Sequence, residues 1–557
     1  MKLAKLKETV LLSLIILLSL FLRFYKLGSI PNGLYVDEAA IGYNAYSFIE
    51  TGKDEYGKIL PVFLRSYEAY APPLYAYIST LSVLFFGLTV FAVRFISALS
   101  GVLLTFVVFK IVKNLDISKN KYLPLITVFV FATIPWTIFF SRGSYEANLA
   151  FLIITIAIYL LLLAREKRFY LIPAFVLLAI STYAYQAERV VSYLIILSYL
   201  IIYFRKNITH LVKSKEFVIS ILLFLIIQIP QFTLAFNSSF NMRASGLFYG
   251  ERIKSQSEKI FLPRLISYPL SLTREYLSNF VSYFSPRNIF WEGDPDKQRS
   301  LPGMGPMYFW MAIPYLVGLY MLFKDRKNKD VLFIFFLMVS FVLVPALTKD
   351  PFSTLRSLPL SFPLSIIVSL GIIKIVSVFR KFSYPLIIIL IILSGIFFWR
   401  SYFVLLPYER ARIWGYGYDK LAEEIKVKRD MEFLIDTARL KPPYVELAFF
   451  LKYPPAKLQS VVDPEVKDNY YTNTKFDNHY KFANLETRNI EWERDIYKEQ
   501  ILVGDEFAIS PSQAKEHFLT KVFEIRDPVG EIVFVGYKTS PTLKCLRTNF
   551  ESIYCKI

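Results

Sequence analysis

The sequence predicts an all-α polytopic membrane domain of about eleven transmembrane helices, followed by a small C-terminal α/β soluble domain. The chain has 557 residues, of which 55% are hydrophobic, and its mean hydropathy is +0.42. A soluble protein of this size cannot bury so much apolar surface. Long apolar runs recur through residues 1–400, and none follows in residues 401–557. We therefore place the domain boundary between residues 400 and 401.

Apolar runs of near-spanning length supply the predicted transmembrane helices, judged against the roughly 20 residues needed to cross a bilayer. They begin at Val10, Phe91, Tyr122, Glu146, Tyr170, Val190, Phe217, Met307, Val331, Pro359 and Tyr384. The first run resembles the apolar part of a signal peptide. However, no small-residue cleavage site follows it and many spans come after, so we interpret it as a retained anchor.

A further apolar run, residues 72–86, decides the predicted orientation. It is short, begins with two prolines and ends before Gly87. If this segment lies in the membrane interface, the basic loops between the spans all fall on one side, as the positive-inside rule requires. We therefore predict a multi-pass plasma-membrane protein with a cytoplasmic N-terminus, outer-face loops at 25–90 and 237–305, and an extracytoplasmic domain at 401–557.

The formal charge of +19 does not indicate a nucleic-acid partner. The Lys and Arg residues form short clusters between apolar runs, which is the pattern of membrane topology. The sequence has three His residues and no H-E-x-x-H motif, and it contains neither a Walker-type loop nor a dinucleotide fingerprint. We therefore do not expect zinc, ATP or NAD chemistry. The sequence identifies no specific cofactor. A divalent metal bound by carboxylates on the outer side is left open as an alternative.

The C-terminal segment mixes charged and aromatic residues. It contains a helix-like stretch at 418–428 and β-like runs at 431–436 and 531–537, the second following the turn signal Asp527-Pro-Val-Gly530. Its two cysteines, Cys545 and Cys555, form a disulfide if the domain lies on an oxidising outer face. Two buried free thiols are the alternative.

The acidic pair Asp37-Glu38 follows the first apolar run and is the leading candidate for chemistry. A charge at a membrane boundary is costly unless it is hydrated, paired or functional. The pair follows the turn Pro31-Asn-Gly33 and precedes an apolar, aromatic helix that we expect on the membrane surface. A carboxylate in this position can take a proton from an acceptor hydroxyl or amine. The alternative is an ordinary solvated loop.

Three further clusters lie at predicted outer helix ends. Arg142 and Glu146 stand between two spans, where an acid in a first helical turn can also merely complement the helix dipole. The other two clusters contain Glu188-Arg189 and Arg356. Arginines at several helix mouths can converge on a lipid phosphate, which they bind bidentately. Alternatively, Glu188 and Arg189 pair with neighbouring side chains.

The order of these motifs resembles the membrane glycosyltransferases of the GT-C superfamily. The resemblance is to the protein O-mannosyltransferase and aminoarabinose-transferase-like group, including bacterial dolichyl-phosphate-mannose–protein mannosyltransferases. It rests on Asp37-Glu38, on Pro72-Pro-Leu-Tyr75, on the span opened by Phe91-Ala-Val-Arg94, and on Phe140-Ser-Arg-Gly-Ser-Tyr-Glu-Ala-Asn148. It covers roughly residues 1–400 and is clearest over 20–190.

The resemblance implies inverting transfer of a mannose-like or other sugar from a polyprenyl phosphate to an acceptor hydroxyl. It assigns Asp37 as the base, Glu38 as its support and Glu146 as a second acid near the sugar or acceptor. The acceptor is a protein, lipid or glycan. The substrate-binding candidates are Arg65, Tyr75, Arg142, Asn148, Arg189 and Arg356. The chain departs from the pattern at Ala71, where many relatives have Lys or His before the two prolines.

Two other functions remain open at this point. A flippase or transporter of lipid-linked sugars would carry ionisable residues near the membrane midplane and paired interrupted helices. Few charges lie deep within the predicted spans, which counts against this class. An inactive relative that only binds substrates is the other alternative, and Ala71 keeps it open. The C-terminal domain is predicted to select acceptors.

Overall fold

The computed structural model of the chain describes residues 2–66, 69–235, 246, 248–439, 443–472, 479–547 and 552–555. It divides the chain into two compact units. The helical unit comprises Met1–Leu27, Pro72–Tyr75 and Arg94–Val404, and the sheet unit comprises Gly28–Ala71, Ala76–Val93 and Leu405–Ile557. The sequence prediction attached the loop 25–90 to the membrane domain. In the structure most of this loop groups with the C-terminal segment.

Helices account for nearly all regular structure before residue 400, and each of the apolar runs predicted from the sequence lies on one. The main helices are Lys2–Phe24, Val90–Asn114, Leu123–Thr133, Pro135–Phe140, Glu146–Leu163, Leu171–Ser181, Glu188–Tyr199, Ile208–Val212, Lys215–Ala235, Gly250–Glu258, Arg264–Ser282, Ala312–Lys324, Lys329–Leu343, Ser361–Val378 and Arg380–Trp399.

Six helices among the described residues are long and apolar enough to cross a membrane. They are Val90–Asn114, Glu146–Leu163, Lys215–Leu234, Lys329–Leu347, Leu358–Val378 and Arg380–Glu409. Several other apolar helices, such as Leu123–Thr133, are shorter than a full span. The chain is thus a multi-pass membrane protein, and the count of eleven spans stays a prediction.

In the described part of the predicted outer loop 237–305, two α-helices are present that the sequence did not indicate, Gly250–Glu258 and Arg264–Ser282. Its residues 237–245 and 247 lie outside the described part of the chain. Helix Arg264–Ser282 buries a polar stripe at every fourth position, formed by Ser267, Ser271, Glu275 and Asn279. Most of its apolar side chains, among them Leu265 and Val281, are exposed. This pattern is inverted relative to a soluble amphipathic helix, and it is expected where the exposed face meets lipid.

Two helices of the helical unit cross through a pair of glycines. A Cβ atom on Gly318 would lie 1.9 Å from the carbonyl oxygen of Ile367, and one on Gly371 would lie 1.8 Å from that of Pro314. Helices Ala312–Lys324 and Ser361–Val378 therefore touch backbone to backbone. Close approach through small residues is a common way to associate helices in a membrane, where burial of apolar surface adds little.

We predict that Gly371→Ala separates these two helices and lowers the stability of the purified protein by about 1–3 kcal/mol, the usual cost of overpacking. Thermal unfolding in detergent measures this change. Gly395→Ala is the matched control, because a Cβ there meets nothing within 4 Å. Equal unfolding temperatures for the two variants would contradict the prediction.

The sheet unit contains a two-stranded and a six-stranded sheet. The short hairpin pairs β1 (Leu64–Ser66) with β2 (Ala69–Ala71). The larger sheet is formed by β3 (Phe433–Ile435), β4 (Tyr480–Phe482), β5 (Leu485–Thr487), β6 (Ile501–Gly504), β7 (Thr520–Arg526) and β8 (Ile532–Lys538). Its strand order is β4-β5-β3-β6-β8-β7, in which β3 pairs parallel with β5 and β6 and the other pairs are antiparallel.

The sheet agrees with the α/β domain predicted from the sequence. The predicted β-like runs correspond to β3 and β8, and the turn at Asp527–Gly530 joins β7 to β8 with Gly530 at φ +93°. The α-helices described in this unit are Val36–Thr51, Leu406–Glu409, Tyr418–Val427, Tyr444–Leu451, Pro455–Val461, Pro464–Asp468, Trp492–Asp495, Pro511–Glu516 and Pro541–Arg547, together with Leu74–Phe86, whose first two residues belong to the helical unit. Cys545 and Cys555 are joined by a disulfide, which resolves the alternative left open by the sequence.

The run after Pro72-Pro73 forms helix Leu74–Phe86, which has 13 residues. At 1.5 Å per residue it is about 20 Å long, which is short of the ~30 Å hydrocarbon core. Leu81, Leu84 and Phe85 on this helix are exposed. Its length and its exposed apolar side chains fit the predicted juxtamembrane helix, whose location in a membrane stays a prediction.

Candidate active site

The acidic pair lies in the first turn of helix Val36–Thr51, within the sheet unit, and its two carboxylates point to different environments. Glu38 is 4% exposed, and its Oε2 accepts a hydrogen bond of 3.2 Å from the backbone N–H of Tyr35. It therefore satisfies a donor at the start of the helix. Asp37 is exposed, and within the described part of the chain its carboxylate has no hydrogen-bond or ion-pair partner.

Arg65 lies on β1 and is buried. Its guanidinium carbon is 5.6 Å from the ring centroid of Tyr56, and its backbone N–H donates to Tyr470 Oη at 2.8 Å. The same hydroxyl donates to Asp54 Oδ2 at 2.6 Å. Arg65 thus belongs to a buried aromatic and acidic cluster of the sheet unit.

Asp54 was not among the residues predicted from the sequence. It is fully buried, and its Oδ1 accepts hydrogen bonds from the backbone N–H groups of Tyr56 and Lys58. Burial raises the pKa of the Asp54 carboxyl to about 6, although the hydrogen bonds from Tyr470 and the backbone lower it. Asp54 lies in a turn, and the only local feature of the sequence that indicates this turn is the pair of glycines that flank it, Gly52 and Gly57.

We predict that acidification stabilises the protein through Asp54. Its folded-state pKa exceeds the ordinary value near ~3.9, so its contribution to stability is complete below about pH 4 and is lost as the pH rises through 6. Between pH 7 and pH 5 the wild type should gain about 1 kcal/mol of unfolding free energy relative to Asp54→Asn. Denaturant unfolding of both proteins measures the difference, and parallel pH profiles would refute it.

In the helical unit, the buried guanidinium of Arg142 binds the end of the first helix. It donates to the carbonyl oxygens of Leu22, Arg23 and Tyr25 at 2.9, 3.1 and 2.7 Å. Its carbon also lies 4.8 Å from the ring centroid of Tyr402. These carbonyls are the unsatisfied acceptors of a helix C-terminus, so Arg142 acts as a side-chain cap.

A second buried arginine, Arg23, was not among the predicted site residues. Its nitrogens donate to Ser19 Oγ, the carbonyl of Ala132, Thr137 Oγ1 and Ser141 Oγ. A Cβ on Gly101 would lie 2.5 Å from Arg23 Nε, so this glycine makes room for the side chain. Arg23 and Arg142 together join the first helix to the segment that precedes Glu146.

Tyr75 and Asn148 meet at Ser97, on helix Val90–Asn114. Asn148 Nδ2 donates to the carbonyl of Ser97 at 2.8 Å, and Tyr75 Oη accepts from the backbone N–H of Ser97 at 3.1 Å. Both side chains are fully buried. Glu146, two residues before Asn148, is partly exposed and begins helix Glu146–Leu163. The buried pair therefore fixes the start of the helix that carries Glu146.

Arg189 and Arg356 lie at two other helix ends of the helical unit. Arg189 is partly buried next to Glu188, which is 2% exposed at the start of helix Glu188–Tyr199. Arg356 Nη1 donates to Asp350 Oδ2 at 2.6 Å and to Thr348 Oγ1 at 3.2 Å. Its Nε and Nη2 have no partner among the described residues.

Asp350 also accepts from Arg299, a residue that the sequence analysis missed, at 3.2 Å. Burial raises the pKa of Asp350, but the hydrogen bonds and charges of Arg356 and Arg299 outweigh it and hold this pKa below its ordinary value. Arg299 further pairs with Asp294, whose Oδ2 accepts from the N–H and hydroxyl of Thr354. This network fixes the loop that presents Arg356.

The predicted site residues thus fall into two groups. Asp37, Glu38 and Arg65 belong to the sheet unit, whereas Tyr75, Arg142, Glu146, Asn148, Arg189 and Arg356 belong to the helical unit. Tyr75 and Asn148 share the partner Ser97, within the helical unit. No group of three or more His, Cys, Asp or Glu residues that could hold a metal ion occurs in the described ranges.

Comparison with known proteins shows what this chain is similar to in sequence and in fold. A family model described as dolichyl-phosphate-mannose-protein mannosyltransferase matches residues 70–233. The chain is similar to the crystal structure of ArnT from Cupriavidus metallidurans bound to undecaprenyl phosphate, with a TM-score of 0.53 and 12% identity, over 94% of this chain and 97% of that one. The apo structure of the same protein gives 0.53 and 11%, over 97% and 99%.

A weaker similarity links the chain to archaeal oligosaccharyltransferase AglB from Archaeoglobus fulgidus in complex with an inhibitory peptide and a dolichol-phosphate. Its TM-score is 0.49 at 13% identity, over 96% of this chain and 74% of that one, which is too low to carry an argument. No curated protein sequence matches the chain.

The resemblance to GT-C membrane glycosyltransferases predicted from the sequence is confirmed by the family model and the shared fold. At these identities the solved structures show the fold alone. The matched range 70–233 includes Tyr75, Arg142, Glu146, Asn148 and Arg189 and excludes Asp37, Glu38, Arg65 and Arg356. The roles of all these residues stay predictions.

Proposed function

We propose that this protein transfers a sugar from a polyprenyl phosphate to an acceptor hydroxyl on the outer face of the membrane, with Asp37 as the general base. The observation that carries the proposal is the placement of Asp37. It is an exposed carboxylate at the start of a helix and has no partner among the described residues, whereas the neighbouring acid, Glu38, accepts a hydrogen bond from the backbone. The ArnT fold, seen in one structure with undecaprenyl phosphate bound, supports a lipid-phosphate donor.

The proposed reaction is a direct displacement. Asp37 accepts the proton of the acceptor hydroxyl as its oxygen attacks the anomeric carbon, and the bond from that carbon to the phosphate oxygen breaks. The electron pair leaves with the polyprenyl phosphate, and the configuration of the sugar inverts. Glu38 supports the helix turn that presents Asp37. No nucleotide is required, because the energy of transfer is already stored in the sugar–phosphate bond.

Arg356 is the arginine best suited to bind the phosphate of the leaving group. In the part of the chain that the structure describes, only its Nη1 has partners, Asp350 and Thr348, so Nε and Nη2 are proposed as donors to two phosphate oxygens. Arg142 already donates to three carbonyl oxygens, so a structural role suits it better. Arg65 and Arg189 remain weaker candidates for phosphate binding.

Glu146 is proposed as the second acid, close to the transferred sugar or the acceptor. It is partly exposed, in contrast to the buried Asn148 and Tyr75 that hold the start of its helix. We therefore assign Asn148 and Tyr75 to shaping the substrate site rather than to contacting the reacting atoms. The sugar and the acceptor are left as classes: a hexose or pentose, and a hydroxyl of a protein, lipid or glycan.

We predict that Asp37→Asn lowers the release of free polyprenyl phosphate from polyprenyl-phosphate-mannose, or from a mixed pool of lipid-linked sugars, by about 10²–10⁴-fold. Loss of the general base causes this drop, and Asp37→Asn should leave the thermal unfolding temperature unchanged. Asp419→Asn is the matched control, since Asp419 is also exposed in the first turn of a helix, Tyr418–Val427. Equal release by Asp37→Asn and the control would remove Asp37 from the chemistry.

We also predict that residue 58 faces outward and residue 327 faces the cytoplasm. Both positions carry exposed lysines, and the two native cysteines are bridged. A membrane-impermeant maleimide applied to intact cells should therefore label Lys58→Cys and reach Lys327→Cys only after permeabilisation. Labelling of both variants in intact cells would overturn the orientation derived from the positive-inside rule.

A further inference from the structure

We propose that the C-terminal segment 405–472 holds the helix that carries Asp37, so that Gly415 and Gln459 are positioning residues for the base. This inference rests on the proposed function and assigns the C-terminal domain a role in catalysis. The sequence analysis assigned that domain to acceptor selection. All contacts that support the proposal lie within the sheet unit.

The turn before Asp37 is the first point of attachment. Asn32 Nδ2 donates to the carbonyl of Pro407 at 2.8 Å. Gly33 has φ +114°, and a Cβ on it would lie 2.4 Å from the carbonyl oxygen of Trp414 and 2.7 Å from the nitrogen of Tyr416. The two backbones touch here, and only glycine permits both the conformation and the approach.

The segment that faces Gly33 also requires a glycine. Gly415 has φ +71°, and a Cβ on it would lie 2.4 Å from the carbonyl oxygen of Leu34. Leu34 precedes Asp37 by three residues, so a displacement at Gly415 is transmitted directly to the start of the helix. The Tyr35 and Trp414 rings, with centroids 6.5 Å apart in an edge arrangement, flank this contact.

The middle of helix Val36–Thr51 packs against helix Tyr444–Leu451. A Cβ on Gly42 would lie 2.6 Å from Phe449 Cε2, which shows how closely the two helices approach. The fully buried Tyr43 donates from Oη to the carbonyl of Tyr453 at 2.9 Å. This contact fixes the rotation of the helix about its axis, and with it the direction in which Asp37 projects.

Gln459 holds the other end of the helix. Its Nε2 lies 3.0 Å from Ser47 Oγ, 2.9 Å from Thr51 Oγ1 and 2.9 Å from the carbonyl oxygen of Asp54. One amide thus joins the last turn of the helix to the loop that follows it. Asp54 is in turn bound by Tyr470, which extends the same attachment.

These contacts matter because Asp37 itself has no partner in the described structure. A helix of 16 residues is marginal on its own in water, so its tertiary contacts must supply its position. A displacement of about 1 Å between reacting groups can reduce a rate by about 10²-fold. The direction of the base therefore depends on residues far along the chain.

The test compares two variants with matched controls. Gly415→Ala adds a Cβ against Leu34 at positive φ, whereas Gly530→Ala adds one at φ +93° with nothing within 4 Å. Gln459→Ala removes the three contacts to the helix end, whereas Gln513→Ala removes one that is local to Ser510. Hydrogen exchange of amides 36–51 is measured first, because it needs no substrate.

We expect Gly415→Ala and Gln459→Ala to increase exchange of these amides at least 10-fold, while both controls match the wild type. We also expect kcat for release of polyprenyl phosphate to fall at least 10-fold with KM nearly unchanged. Neither variant should reduce activity further in an Asp37→Asn background, because both act through that residue.

The outcomes separate this inference from the proposed function. Unchanged exchange in both variants overturns the attachment. Increased exchange with wild-type kcat, or with the same fold-loss in an Asp37→Asn background, overturns the positioning role. If the wild type releases no polyprenyl phosphate at all, the proposed function fails, and increased exchange still establishes the attachment of the helix.

Discussion

The buried guanidinium of Arg142 holds several segments of the helical unit together. It lies between the C-terminal carbonyls of the first helix, the segment that leads to Glu146 and the aromatic ring of Tyr402. A buried cation is costly unless its donors are satisfied. Here carbonyl oxygens at a helix end accept from it, where the negative end of the helix dipole favours a positive charge.

The buried cation of Arg23 is likewise satisfied, in this case by hydroxyl and carbonyl oxygens that accept from its guanidinium. The carbonyl and hydroxyl oxygens that accept from the two guanidinium groups keep both cations at fixed positions. The segment that leads to Glu146 is thereby attached to the first helix at several atoms. This attachment also restricts the position of Glu146.

Much of the architecture was readable from the sequence. The apolar runs, the α/β character of the tail and the turn at Asp527–Gly530 depend on local patterns, and the structure shows helices at the runs, a sheet in the tail and a turn between β7 and β8. Helix Arg264–Ser282 was not predicted, because its polar side is buried and its apolar side is exposed. Averaged hydropathy does not distinguish this arrangement from the opposite one.

The candidate site was readable only in part, for a related reason. Asp37, Glu146 and the arginines stand out by their charge at predicted helix ends. Asp54, Arg23 and Arg299 have the same charges, but their roles come from partners distant in the chain, such as Tyr470 for Asp54. The residue pattern alone did not distinguish Asp37 from Glu38, and only the family resemblance assigned them different roles, because the direction of each side chain depends on where the helix begins.

The discontinuous make-up of the sheet unit has a consequence for biosynthesis. Asn32 binds Pro407, a partner 375 positions further along the chain. Because chains are synthesised from the N-terminus, the early loop emerges long before its partners exist. Tyr43, Tyr56 and Tyr70, buried in the finished protein, must stay exposed through the insertion of nearly every membrane helix. The arrangement makes the ordering of the helix that carries Asp37 depend on the synthesis of partners such as Pro407 and Gln459, more than 350 residues later in the chain.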